Sequence, residues 1–223
     1  MDIKKAFSEF YEDLALILNE HGFDVSETKK NALKKTAYGF CEIYFNIDQS
    51  YDYTYAIDVK LWVRCDQIQE IRGKINPDFT DSNSLTLLLT PHGLMPLLGK
   101  RELNFEEDNG FVINFENQVS KEKWLSGFKK MMNEAVFPFF DSFKTVEDFH
   151  HWLNKPVLEN NFAFEKGKNR HNAVCGLIAA KLAKSPDYEK IYSIRMNDFA
   201  RIQNKNAMEE LQKTKMYLDE HYH

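Results

Sequence analysis

Two runs in which apolar and polar residues alternate, separated by a short polar stretch, form the clearest pattern in this chain. In residues 39–48 and again in residues 53–64, apolar side chains recur at every second position. Successive side chains of a strand point to opposite faces of a sheet, so each run predicts a strand with one buried face. Residues 48–52 between the runs contain Asp and Ser, which favour turns. We therefore predict an antiparallel hairpin whose second face meets water or a partner.

A helical pattern precedes the hairpin. In residues 2–21 the apolar positions recur every three or four residues, and Gly22 supplies the left-handed conformation that ends many helices. Residues 24–37 contain two lysine pairs and few apolar residues, so an edge strand, a short helix and an exposed loop all fit. We favour the edge strand, because charge on an edge discourages association with other sheets.

Shorter elements follow the hairpin. Residues 65–74 predict a short helix that is closed by Gly73 and the Asn76-Pro77 turn. Apolar runs at residues 85–90 and 111–115 predict two further strands, and residues 91–109 between them predict a loop with an acidic cluster.

The spacing of apolar residues changes to the helical period after residue 119. Ser120 is suited to cap a helix, and Pro138 is expected to kink or break that helix near Val136, because proline lacks an amide donor. A capping box at Thr145 predicts the start of a second helix, which Pro156 is expected to stop.

The C-terminal part of the chain is predicted to be helical. Residues 157–169 resemble a linker, and three helices follow them. These elements predict the α+β class, with an N-terminal helix on a mostly antiparallel sheet and a C-terminal helical region. We predict an α+β domain over residues 1–156 and a helical subdomain over residues 157–223 packed on it, with one single domain as the alternative.

Composition and charge narrow the classes of function. The chain has 223 residues and a formal net charge of −5, which disfavours binding of nucleic acid, because phosphate contacts need a basic surface. A nucleic-acid role through Lys29, Lys30, Lys34 and Lys35 is therefore the weakest alternative. No apolar run approaches the roughly 20 residues that a membrane-spanning helix needs. Three scattered cysteines fit a reducing compartment, so we expect a cytoplasmic protein that neither enters a membrane nor carries a cofactor.

The sequence contains no catalytic or metal-binding motif. His171 and Cys175 stand four residues apart on a predicted helix, but two ligands do not make a structural zinc site, which takes four. The adjacent His150 and His151 point in different directions on a helix, so one is expected near the core and the other in solvent. Cys65 is expected to be the most exposed thiol. We assign no catalytic residue and no metal ligand.

The polar face of the hairpin is the strongest candidate for a binding surface. It is unusually rich in aromatic residues, and aromatic residues with polar neighbours bind protein partners at a modest entropic cost. The alternative is that the C-terminal helices cover this face. The residues that we predict to contact a partner are Tyr44, Asn46, Tyr51, Asp58, Trp62, Glu106, Glu107 and Asp108.

The N-terminal third also carries a likeness to a known group. An opening helix that ends in Gly22-Phe23, a basic stretch and the sequence FCEIYFNIDQS over residues 40–50 follow one another before the second hairpin strand. This arrangement resembles small uncharacterised bacterial α+β domains, some of which are immunity proteins found beside polymorphic toxins. In that group a Gln-Ser pair often follows the first long strand, as Gln49-Ser50 does here. The resemblance implies a helix leading into an antiparallel sheet, and it implies no catalytic residues.

Two hypotheses about function follow. The first is a non-catalytic module that binds a protein partner, with neutralisation of a basic toxin as a specific form of it; exposed carboxylates would then steer the cationic partner. The second is a small-molecule-binding protein or enzyme with a pocket between the sheet and the helices. In that case His92, His150, His151 or Tyr44 would converge in one cleft.

Overall fold

The computed structural model describes residues 2–77, 85–90, 94, 112–159 and 170–222, with Tyr51 described by its backbone alone. The chain begins with helix α1, Ile3–Leu18, which the Asp2 carboxylate caps by accepting a hydrogen bond from the Lys4 amide at 3.0 Å. A 3₁₀ turn, Asn19–His21, and then Gly22 with φ of 80° end the helix. The predicted helix and its glycine stop are confirmed.

Six strands form one sheet. They are β1 (Asp24–Ser26), β2 (Asn31–Thr36), β3 (Gly39–Tyr51), β4 (Thr54–Cys65), β5 (Leu87–Leu89) and β6 (Val112–Asn114). Their order is β1-β2-β3-β4-β5, and β6 also pairs with β4. In the antiparallel pairs, Val25 lies opposite Ala32 and Tyr55 lies opposite Ile113. The prediction of an α+β fold with an N-terminal helix, an antiparallel sheet and a helical C-terminal region is confirmed.

The turn of the long hairpin lies later than predicted. β3 continues through residues 48–51, and the reversal uses only Asp52 and Tyr53, with Tyr53 in the left-handed region at φ of 51°. The prediction was wrong because polar residues at the exposed end of a strand resemble a turn in sequence.

Residues 24–37 form two strands, where one was predicted. β1 and β2 are joined by a turn in which Lys30 has φ of 53°, and β1 lies at the edge of the sheet. The edge-strand prediction is therefore confirmed for β1, and β2 was not anticipated.

Within the described ranges, the other α-helices are α2 (Asp66–Ile75), α3 (Gln118–Met131), α4 (Phe137–Asp141), α5 (Val146–Leu158), α6 (Arg170–Leu182), α7 (Tyr188–Arg201) and α8 (Lys205–His221). Two predicted boundaries were wrong: α5 continues past Pro156, and Asn117 rather than Ser120 caps α3. α2 ends before the Asn76-Pro77 turn, as predicted, although Gly73 lies inside the helix. The Asn117 side chain accepts a hydrogen bond from the Ser120 amide at 3.2 Å.

The irregularity predicted near Val136 takes the form of a π-helical turn. Residues Met132–Val136 join α3 to α4, and the Phe137 amide donates to the Met132 carbonyl five residues earlier. Pro138 has no amide donor, and the wider turn just before it lets the helix continue instead of breaking.

By its internal contacts the chain forms two compact units. The first comprises Met1–Thr36, Phe40–Trp62 and Leu89–Asp141, and the second comprises Ala37–Gly39, Val63–Leu88 and Ser142–His223. The two long strands contribute residues to both units. The boundary at residue 156 stays a prediction.

Each unit has its own core. In the first, Phe45 of β3 packs against Tyr11 of α1 and Phe128 of α3, with ring centroids 6.2 and 5.9 Å apart. In the second, α6 is central, since all residues from Asn172 to Ala180 are buried and α2, α5, α7 and α8 contact it. A helix that is buried all round belongs in the middle of a core. Among the described residues, no helix combines the length and apolar character that crossing a membrane requires.

Candidate functional site

The alternation of the hairpin gives it one buried and one accessible face, as predicted. In β4 the inward residues Ile57, Val59 and Leu61 are buried. On the other face Asp58 is exposed, and Trp62 is half-buried. The period of two in the sequence therefore identified correctly which side chains leave the core.

Two of the predicted binding residues lie in direct contact. The rings of Tyr44 in β3 and Trp62 in β4 stack with centroids 5.2 Å apart and planes 6° from parallel. Both side chains are half-buried, and the Trp62 indole nitrogen is enclosed without a hydrogen-bond partner among the described residues.

Polar groups surround the stacked pair. Asn46 donates to the Asp48 carboxylate at 2.8 Å, and Asp58 forms a long ion pair with Lys60, at 3.9 Å. Asp48, Asp52 and Asp58 are exposed. We call the side chains of Tyr44, Asn46, Asp58 and Trp62 the outer hairpin face.

Other carboxylates in and near the hairpin differ in their availability. Glu42 is buried and accepts a hydrogen bond from Asn31 at 2.6 Å, so its charge is engaged within the sheet. The side chain of Tyr51 and the whole acidic cluster Glu106, Glu107 and Asp108 lie outside the described residues.

A buried polar cluster in the second unit was not anticipated. Gln69 of α2 donates to the Leu85 carbonyl at 2.7 Å and to the Thr86 hydroxyl at 3.0 Å. Arg72, which is 2% exposed, contacts Nδ1 of His171 at 2.5 Å. Because an arginine is always a donor, His171 must accept at Nδ1 and carry its proton on Nε2.

The sequence contained one signal for this cluster. The apolar stripe of α2 consists of Ile68, Ile71 and Ile75, and it is narrow for a helix that packs in a core. Gln69 and Arg72 widen that stripe, and both are buried. A polar pair three residues apart beside a narrow stripe therefore indicated buried polar groups.

The cluster is unsuited to thiol chemistry. Sγ of Cys175 lies 3.8 Å from Nε2 of His171. Burial lowers the pKa of His171 to about 4, with the positive charge of Arg72 adding to the effect. Burial raises the pKa of the Cys175 thiol to about 11. Near neutral pH both groups are uncharged, whereas a nucleophilic cysteine needs a thiolate.

The cluster is also unsuited to metal binding in the described part of the chain. His171 and Cys175 do lie side by side, but no group of three or more ligating side chains is found among the described residues. The Arg72 guanidinium beside the imidazole also repels a cation.

All three cysteines are free thiols and buried. The expectation that Cys65 is exposed was therefore wrong; Cys65 is the last residue of β4, and its backbone amide donates to the Thr86 hydroxyl at 2.8 Å.

The adjacent histidines point in different directions, as predicted. His150 is half-buried and lies 2.9 Å from the Asn154 amide, and burial lowers the pKa of this imidazole. His151 is exposed. Tyr44 belongs to the first unit and both histidines to the second, while His92 lies outside the described residues.

The lysine pairs before the hairpin do not form one uniform basic patch. Lys29, Lys30 and Lys35 are exposed, but Lys34 pairs with Asp141 at 3.7 Å and lies over the Phe23 ring. One of the four positive charges is thus already engaged within the first unit.

We find no match to this chain among protein-family models, curated proteins or solved structures.

Proposed function

We propose that this protein is a non-catalytic module that binds a protein partner through the outer hairpin face. The observation that carries the proposal is the stacked pair of Tyr44 and Trp62, which lies on the side of the sheet away from the core and has the exposed Asp58 on the same face. Large rigid aromatic side chains contribute contact area at a low entropic cost and dominate many interfaces.

The charges near this face favour a basic partner. Asp48, Asp52 and Asp58 are exposed, and the ion pair between Lys60 and Asp58 is long, at 3.9 Å. The chain as a whole is acidic, with a formal net charge of −5. Complementary charge accelerates association and excludes partners of like charge. The proposed partner is therefore a protein with a cationic surface.

The resemblance of the first third of the chain to immunity proteins suggests a more specific form of the same proposal. In that form the cationic partner is a toxin, which the outer hairpin face neutralises by covering it. Binding of the toxin would take place in the cytoplasm, a location that the three free thiols favour.

Site-specific photocrosslinking tests the proposal. A benzophenone side chain replaces Asp58 in the tagged full-length chain, which is then irradiated in nuclease-treated lysate of its own source. The matched control carries the same group at Glu12, an exposed carboxylate of α1 in the same unit. We expect one protein adduct with a basic surface at position 58 and none at position 12. Equal crosslinking at both positions, or no adduct at position 58, contradicts the proposal.

A further inference from the structure

The second unit contains a cleft with a volume of about 230 Å³, which lies where α2 ends and where α6 and α8 begin. The polar residues that line it are Asn76, Arg170, Asn206, Glu209, Glu210 and Lys213. The expected pocket was one between sheet and helices, whereas this cleft is bordered by helices.

One wall of the cleft is a polar face of α8. Asn206, Glu210 and Lys213 follow one another at spacings of four and three residues, so they lie on one side of the helix. Glu209 and Lys213 are four residues apart, a spacing that favours an ion pair, yet they form none in the described structure. Lys213 is exposed, and its ammonium group therefore remains available.

Arg170 faces the same cleft in a fixed orientation. Its Nε donates to the Glu210 carboxylate at 2.8 Å, and the Glu210 side chain is only 9% exposed. Glu210 in turn lies 3.7 Å from the guanidinium of the buried Arg72. Nε makes this contact, and neither terminal nitrogen of Arg170 has a hydrogen bond or ion pair to another described residue. These two nitrogens can bind an oxyanion through two parallel hydrogen bonds.

We propose that this cleft binds a small molecule through its oxyanion, a carboxylate or a phosphate, which Arg170 and Lys213 hold together. Asn206 supplies a further donor from its amide. Glu209 stands on the same wall and opposes a bare anion, so the ligand also carries a hydroxyl or ammonium group that donates to Glu209. This site and the outer hairpin face belong to different units, and either proposal can fail without the other.

Nuclear magnetic resonance of the ¹⁵N-labelled full-length chain tests the site. Inorganic phosphate, glycine and acetate are titrated separately at constant ionic strength, while the Arg170 Nε–H resonance and the α8 amides are followed. Phosphate and glycine each carry an oxyanion with a donor group, and acetate has the oxyanion alone. We expect saturable shifts with phosphate or with glycine. The probe that binds identifies the oxyanion of the ligand as a phosphate or as a carboxylate. Acetate should bind more weakly than that probe.

Two lysine substitutions separate a specific site from a general effect of charge. Lys213→Gln should weaken binding about tenfold, because a charge-assisted hydrogen bond is lost. Lys190→Gln removes the same charge from an exposed position on α7, away from the lining of the cleft, and should leave the affinity unchanged. The proposal is overturned if none of the three probes gives saturable shifts, or if both substitutions weaken binding equally.

Discussion

Arg72 keeps a permanent positive charge at a position that is almost entirely buried. Glu210, whose side chain is 9% exposed, lies 3.7 Å from it and also accepts a hydrogen bond from Arg170. Taking charged groups out of water costs several kcal/mol for each ion, and this cost is offset only while the partners stay together. The contributions of Arg72, Glu210 and Arg170 to stability therefore depend on one another.

Neutralising one member of this group should destabilise the fold. We expect Glu210→Gln to lower the free energy of unfolding by about 3 kcal/mol, because it removes a negative charge that lies 3.7 Å from the buried Arg72 guanidinium. Glu209→Gln is the matched control; it removes the same charge from the neighbouring exposed residue and should change the free energy by no more than about 0.5 kcal/mol. Urea unfolding followed by circular dichroism gives both values. Equal losses would show that Arg72 does not depend on Glu210.

His171 should make the stability depend on pH. Burial, and after it the charge of Arg72, lowers the pKa of this imidazole from 6.5 to about 4 in the folded chain. Above pH 6.5 the group is neutral in the folded and unfolded states and its stabilising effect is fully present. As the pH falls towards 4 the unfolded chain takes up a proton that the folded chain excludes, so about 3 kcal/mol of stability is lost.

A histidine substitution tests this dependence. In His171→Asn the amide oxygen can still accept from Arg72, but the side chain no longer titrates. The free energy of unfolding, measured by urea titration at several pH values between 6.5 and 4, should fall less steeply in this variant than in the unaltered chain. His151→Asn, at an exposed position, serves as the control. Identical slopes for His171→Asn and the unaltered chain would contradict the assignment.

At the scale of elements, the contact between α5 and α6 depends on a glycine. The Asn154 side chain of α5 donates to the Gly176 carbonyl of α6 at 2.8 Å. A Cβ atom at position 176 would stand 2.6 Å from Oδ1 of Asn154, well inside the distance that real Cβ contacts keep. The absence of a side chain at Gly176 is what allows the two helices to approach this closely.

Gly176→Ala should therefore destabilise the chain although alanine is the better helix former. Alanine gains about 1 kcal/mol of helix propensity, but the clash with Asn154 forces a shift in a close-packed core that costs about 1–3 kcal/mol. A double-mutant cycle with Asn154→Ala checks the cause by urea unfolding, since the alanine at 176 should cost less once the Asn154 side chain is gone. Strictly additive effects would mean that the two residues do not interact.

At the scale of the whole molecule, the acidic net charge should govern how fast the proposed partner binds. Charges further apart than the Debye length, about 10 Å at 0.1 M salt, are largely screened. We expect the association rate constant, measured by surface plasmon resonance with the crosslinked partner once purified, to fall as salt rises. Asp58→Lys should lower this rate constant more than Glu12→Lys, which makes the same change of charge on α1. Equal effects of the two substitutions would exclude a direct role for the outer hairpin face.

The sequence alone determined the class of the fold and the position of most elements. Periodicity is a local property, because the spacing between neighbouring residues alone determines whether their side chains lie on the same face of a strand or helix. For this reason the burial of Ile57, Val59 and Leu61, the outward position of Trp62 and the three C-terminal helices could all be predicted. The same reasoning identified Tyr44 and Asp58 as accessible or half-buried residues of the outer hairpin face.

Only the tertiary structure decided where local signals are overruled and which distant residues meet. α5 continues past Pro156 because its packing against α6 outweighs the lost amide bond. Arg72 and His171 are 99 residues apart in the chain, and no local pattern places them in contact. Glu210, contributed by α8, lies beside the buried Arg72 and offsets part of the cost of burying its charge. Periodicity along the chain shows which face of an element is buried, but the partner that meets a buried charge is determined by the packing of elements far apart in sequence.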